Sequence, residues 1–157
     1  MKKYEFTGEM KLWLGRTLRR IRATVSFGDV MAGDLGGWIE KEENLDAQVS
    51  GNAWVYGNAW VSGDARVSGN ARVYGDARVY GDAHYLTVGP IGSRSAMTTF
   101  FRTKNLEIWV SCGCFLGSLQ AFKEKIKAAH GDNNHAKIYM AAIELAKLHI
   151  DLKKEEG

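Results

Sequence analysis

No stretch of this chain approaches the roughly 18 consecutive apolar residues that cross a bilayer, and its opening residues lack the apolar core of a signal peptide. No membrane partner is therefore expected, and a cytosolic location is. Cysteine is scarce. Cys112 and Cys114 stand in one Cys-Gly-Cys step, too short to staple anything, which suits a reducing compartment. A single proline beside 45% hydrophobic residues describes one compact unit with appendages. Neither Gly-x-x-x-x-Gly-Lys nor Gly-x-Gly-x-x-Gly after a strand occurs, so nucleotide hydrolases and dinucleotide folds find no support. Acids are missing locally: between Gly89 and Thr103 the only charges are Arg94 and Arg102. Residues 1–26 set Lys2, Lys3, Lys11, Arg16, Arg19, Arg20 and Arg22 against only Glu5 and Glu9. A net charge of +3 is too small to predict a nucleic-acid polymer as partner, but smaller anions fit this uneven distribution.

What the chain has instead is one six-residue phrase, Ala-x-Val-x-Gly-Asn/Asp, repeated from Ala47 to Ala83. Alanine recurs at positions 47, 53, 59, 65, 71, 77 and 83, and valine two places after each of the first six. Residues at i and i+2 share one face of an extended strand, and Gly-Asn or Gly-Asp turns the corner. The phrase resembles the hexapeptide repeat of left-handed parallel β-helices, in which three such sides close a coil of about 18 residues. That register stacks Val49 under Val67, Val55 under Val73 and Val61 under Val79. It sets Trp54 against Arg72, Trp60 against Arg78 and Tyr56 against Tyr74, and it aligns Asp46, Asp64 and Asp82 in a corner column.

The expected fold is mainly β: a short left-handed parallel β-helix with a C-terminal α+β (ββαα) cap. Residues 1–45 read as N-terminal strands and cap, with a hairpin from Lys3-Tyr-Glu-Phe-Thr and Leu18–Val25 and with Trp38 closing the core. Residues 46–88 form the repeat. In residues 89–157, two strands flank a turn at Lys104-Asn105, and Ser118 caps a helix running to about Ala129. A second helix runs from about Asn134 to Ile150, with Ile138, Ala142, Leu145 and Ile150 inward.

Chemistry concentrates between Gly89 and Arg102. Glycines let backbone N–H groups approach a ligand, while Ser93, Thr98 and Thr99 offer hydroxyls, and Arg94 and Arg102 offer guanidinium forks, the set a small anion wants. The bland alternative is an ordinary Gly-Pro turn leading into a hairpin. Arg72 and Arg78, with stacking aromatics, extend the candidate ligand site. Trp54, Tyr56, Trp60, Tyr74 and Tyr80 read as an outward wall among arginines, which predicts self-association, most simply as a trimer. Cys112, Cys114, His130 and His135 can be drawn as a zinc set, but Cys-x-Cys is tighter than usual and buried free thiols explain it as well. No metal and no cofactor are expected. Hexapeptide acyltransferases use a histidine projecting from a coil as general base. Here no histidine occurs in the repeat before His84, at its frayed end.

Taken whole, the chain resembles a family of small proteins from bacteriophages and prophages of Gram-positive bacteria. The resemblance rests on Ala32-Gly-Asp-Leu-Gly-Gly-Trp-Ile-Glu, the Gly-Asn-Ala-x-Val-Tyr repeats, Thr87-Val-Gly-Pro-Ile-Gly-Ser-Arg, Thr98-Thr-Phe-Phe-Arg, Val110-Ser-Cys-Gly-Cys-Phe and His130-Gly-Asp-Asn. It implies work in the host cytoplasm. The expected function is non-enzymatic binding, in its sharpest form a counter-defence sponge that sequesters an anionic nucleotide immune signal. The alternative is an inhibitor or structural module directed at a host defence protein through the Trp/Tyr/Arg wall. A hexapeptide acyltransferase is the third and least supported reading.

Overall fold

The computed structural model describes residues 2–46, 53–63, 65–68, 71–75, 77–93, 96–112 and 115–153. The opening alternation builds β1 (Tyr4–Trp13) and β2 (Arg16–Ala23), an antiparallel hairpin. Its two turn residues, Leu14 and Gly15, both have positive φ (47° and 77°), the conformation whose twist suits a two-residue hairpin. β3 (Leu35–Ile39) then pairs antiparallel with β2. At Gly37 an added Cβ would lie 2.5 Å from the Ala59 carbonyl oxygen. Glycine therefore lets β3 press against the repeat.

Among the described residues the repeat supplies four strands of two residues each: β4 (Trp54–Val55), β5 (Trp60–Val61), β6 (Arg72–Val73) and β7 (Arg78–Val79). Their pairing is parallel with the expected interval of 18. Trp54 and Val55 face Arg72 and Val73, and Trp60 and Val61 face Arg78 and Val79. The inward alanines and valines from Ala53 to Val79 that are described are all at most 1% exposed. Beneath them the register changes. Trp38 and Ile39 pair with Trp60 and Val61, and Leu45 bridges to Val67, each 22 positions on. The 38–45 segment is thus the longer, degenerate first layer. The inward plug is Ile39, fully buried in the repeat's core, rather than the expected Trp38. Trp38 instead lies under Lys11 and Arg20, whose charges sit 4.4 and 5.6 Å from its ring. Val49, Asp64 and the Asp82 side chain, named in the expected columns, lie outside the described residues.

The expected fold class needs correction. Among the described residues the strands form three sheets: a five-stranded mixed sheet in the order β1-β2-β3-β5-β7, the two-stranded parallel pair β4-β6, and a four-stranded antiparallel sheet. Among those residues no left-handed β-helix stands as an element by itself. Two-residue strands carry few ladder hydrogen bonds, and the repeat's sheet is completed by an antiparallel N-terminal meander that the six-residue period does not describe. The fold is α+β.

The C-terminal part is larger than the ββαα cap expected. β8 (Tyr85–Ile91), β9 (Ala96–Arg102), β10 (Ile108–Cys112) and β11 (Phe115–Ser118) make the antiparallel sheet in the order β11-β10-β9-β8. Strand β8 continues through Gly89-Pro90, a cis peptide, with an irregularity between Val88 and Ile91. Helix α1 (Leu119–His130) is capped by Ser118, which accepts from the Ala121 N–H at 3.2 Å. Helix α2 (Asn134–His149) is capped by Asn133 in the same way at 3.0 Å. The inward face of α2 is Ala136, Tyr139, Ala142, Ile143 and Ala146, whereas Ile138 and Leu145, expected inside, are 44% and 49% exposed. Small side chains let the helix lie close to its neighbours.

Burial leaves a pH signature. The Tyr4 phenol is pushed up to about 12 by burial, then by the Glu42, Glu43 and Asp46 carboxylates. Tyr139 is pushed up to about 12 by burial and then by Cys112. The fold therefore favours both neutral phenols. Their contribution is complete below the ordinary tyrosine value near 10 and is lost as pH rises from there toward about 12. Urea midpoints are expected to hold from pH 8 to 9.5 and fall steeply above about 10, with Tyr139→Phe flattening part of that fall.

Candidate functional site

Strand β9 divides the protein's two cores, and its alternation decides where the expected site residues go. Phe100 belongs to the helical core and Phe101 to the core of the repeat. Thr98, fully buried, donates from Oγ1 to Cys112 Sγ at 3.3 Å. Thr99, on the opposite face, accepts the Arg72 backbone N–H at 3.2 Å. Adjacent strand residues cannot converge on one ligand, and these do not. Ser93 is exposed in the β8–β9 turn, and Arg94 lies outside the described residues. A Cβ on Gly92 would meet the Tyr139 hydroxyl at 1.9 Å, so this turn closes on a helix. The structure does not gather the described members of the Gly89–Arg102 set around one anion.

Arg102 does reach a site, but another one. Only 1% exposed, it donates from Nε to the Arg78 carbonyl (3.3 Å) and from Nη1 to the Lys153 carbonyl (3.0 Å). Its guanidinium lies 5.2 Å from the Tyr80 ring. Here a cleft of about 480 Å³ opens between the β1–β2 hairpin tip, the repeat and the β9–β10 turn, within reach of Trp13, Trp60, Arg78, Tyr80, Arg102 and Lys104. Trp13 stacks on Tyr80 at 4.4 Å and meets Trp60 edge-on at 5.9 Å. Arg78 covers the Trp60 ring at 4.0 Å and donates from Nη1 to the Asn58 and Ala77 carbonyls. Arg78 and Arg102 are thus held against aromatic faces, an arrangement suited to a ligand with a flat ring and negative charge. Trp13 and Lys104 carry part of this cleft and were not among the expected site residues. The one local signal was a tryptophan beside Leu14-Gly15 at a hairpin tip.

The aromatic wall is not displayed as expected. Trp54 is 1% exposed with its ring against Phe27 at 5.3 Å. Trp60 and Tyr80 are half-buried under Trp13, so the hairpin covers them. Tyr56 and Tyr74 do stack, at 4.0 Å and 11°. They sit on the other pair of repeat strands, where the Tyr56 hydroxyl donates to Asp29 at 2.7 Å and Arg72 lies 3.7 Å from the same carboxylate. Burial and the Asp29 hydrogen bond both push the Tyr56 phenol up. Arg72 and Arg78 therefore serve different faces.

His84 is buried and its Nδ1 accepts the Tyr80 N–H at 2.9 Å. Cys112 lies 3.9 Å from the Tyr139 hydroxyl, and the His130 and His135 rings are 5.3 Å apart. Cys114 lies outside the described residues, among which no three His, Cys, Asp or Glu side chains gather as a metal site. No helix among the described residues is long and apolar enough to cross a membrane.

Fold and register together describe a six-residue repeat of short parallel strands, flanked by an antiparallel meander and a helix-backed sheet. The repeat matches the family model described as YdcK Beta solenoid repeat, at residues 47–63, 59–75, 65–81 and 71–84. No curated protein matches the chain.

Proposed function

We propose that this protein is a non-enzymatic binder of a small anionic ligand carrying an aromatic ring, of nucleotide type, held in the cleft under the hairpin tip. The observation that carries this reading is the convergence of Arg78, Arg102 and Lys104 with Trp13, Trp60 and Tyr80 around about 480 Å³. A base needs a flat face, and each stacked base contributes roughly 1–3 kcal/mol. A phosphate needs charged donors, worth roughly 1.5–3 kcal/mol each. That His84 serves the backbone of its own turn favours holding over turnover. With the resemblance to phage and prophage proteins, the sharpest form is a sponge in the host cytoplasm that withdraws a nucleotide immune signal. The protein-directed reading loses support from the burial of Trp54 and the covering of Trp60 and Tyr80.

Isothermal titration against cyclic dinucleotides, cyclic ADP-ribose isomers and mononucleotides tests the proposal. One of these classes is expected to bind below about 100 μM, which corresponds to about −5.5 kcal/mol. Trp13→Ala and Lys104→Ala should each weaken it about tenfold, and salt should weaken it further. Silence across the panel would sink the reading.

A further inference from the structure

Among the described residues, the indole N–H groups of Trp38 and Trp60 are shut off from solvent and have no hydrogen-bond partner. The two tryptophans pair side by side across β3 and β5. A buried donor without an acceptor forfeits the bond it makes to water in the unfolded chain, so such groups in folded proteins are few. The side chains set on the Trp60 ring cannot supply the missing acceptor. Trp13 meets it edge-on at 5.9 Å, Arg78 covers it at 4.0 Å and Lys11 stands at 5.4 Å. An indole, a guanidinium and an ammonium are donors only. Trp38 is covered by donors too, Lys11 and Arg20.

The two orphaned groups differ in their place. Trp60 forms a wall of the cleft, and Trp38 does not. The cover over Trp60 also overhangs the sheet. β2 pairs with β3 from Arg19 onward, whereas the hairpin continues past that point through Leu12–Thr17 and Trp13–Arg16. Leu12 and Leu14 in this tip are 82% and 49% exposed. The tip rests on the body of the protein through the Trp13 rings and through the Arg16–Glu40 ion pair at 2.9 Å.

We infer that the Trp60 indole N–H is a specificity contact of the cleft, donating to a hydrogen-bond acceptor on the bound ligand; this role rests on the nucleotide-type reading of the site. As the ligand enters, the overhanging tip gives way. Trp13 leaves its edge contact with Trp60 and stacks on the ligand ring, and the Trp60 N–H gains the acceptor it lacks. Arg78, Arg102 and Lys104 bring further donors, and no carboxylate among the described residues lines the cleft. The ligand is therefore an anion that presents acceptors to both the cations and the indole. A ligand with no acceptor at that point leaves the donor unpaired and is rejected.

Replacing Trp60 in the full chain by benzothienylalanine, introduced at a suppressed stop codon, isolates this contact. The replacement keeps the fused rings and puts sulfur in place of the N–H. Its Tm is expected to match or exceed the wild type, because an unpaired donor is removed. Isothermal titration with the tightest-binding member of the panel of cyclic dinucleotides, cyclic ADP-ribose isomers and mononucleotides is expected to show about a tenfold loss of affinity. The same replacement at Trp38 should leave affinity unchanged. Nuclear magnetic resonance of the nitrogen-labelled wild type gives a second measurement that needs no variant. On addition of the same ligand, the Trp60 indole proton should move downfield while that of Trp38 stays in place. Equal affinity of wild type and the Trp60 isostere, equal losses at both positions, or a Trp60 indole resonance that does not move with ligand bound would overturn this role and leave the cleft as the binding site. Failure of the whole panel to bind would overturn both.

Discussion

Val61→Asp is expected to leave the protein largely unfolded at room temperature. Val61 is fully buried, stacked between Ile39 below and Val79 above in the five-stranded sheet. A carboxylate placed there has alanine and valine around it and no room for water. It would either remain an unpaired buried charge or take up a proton at a large cost. Such a change exceeds most single-site effects, at about 4 kcal/mol or more, against a typical total of about 5–15 kcal/mol. Arg66→Ala makes the comparison, because Arg66 is exposed and its backbone carbonyl, rather than its side chain, accepts the Tyr85 hydroxyl. It should change stability by about 0.5 kcal/mol or less. Urea denaturation followed by circular dichroism measures both, and equal losses would show that the inward column is misassigned.

Gly37→Val is expected to be nearly as damaging, for a steric reason. Beyond the 2.5 Å approach to the Ala59 oxygen, the added Cβ would meet Val55 Cγ1 at 2.7 Å. The Ala59 oxygen already accepts the Trp38 N–H at 2.9 Å, so any retreat of β3 breaks the ladder that joins the meander to the repeat. Overpacking and a lost buried hydrogen bond together cost about 3 kcal/mol or more. At a few degrees per kcal/mol, Tm should fall by roughly 6 °C or more. Gly81→Ala is the control. Its backbone is extended (φ −170°) and nothing lies within 4 Å of the added carbon, so its Tm should move little.

The repeat was legible because its period states its own partners. An interval of 18 names Val55 with Val73 and Val61 with Val79, and both pairs form. The layer below was not legible, since Ile39 and Leu45 reach their partners at an interval of 22 that no internal repetition announces. The face of α2 misled for a different reason. Two large aliphatics, Ile138 and Leu145, suggest the core, but the buried face uses Ile143 and Tyr139 with the small Ala136, Ala142 and Ala146. Thr98 and Thr99 were separable in principle, because neighbours on a strand point to opposite faces. The cleft itself was hidden. Trp13, Tyr80 and Lys104 are brought together by a hairpin folding over the repeat, and no local motif encodes that contact.

Native mass spectrometry of the protein purified from phage-challenged bacterial cells tests the binding claim most directly. The account predicts that the wild-type protein carries a bound small molecule of nucleotide type, and that Trp13→Ala and Lys104→Ala, purified alongside, carry little of it. A wild-type protein that emerges with no bound small molecule, from challenged and unchallenged cells alike, would contradict it.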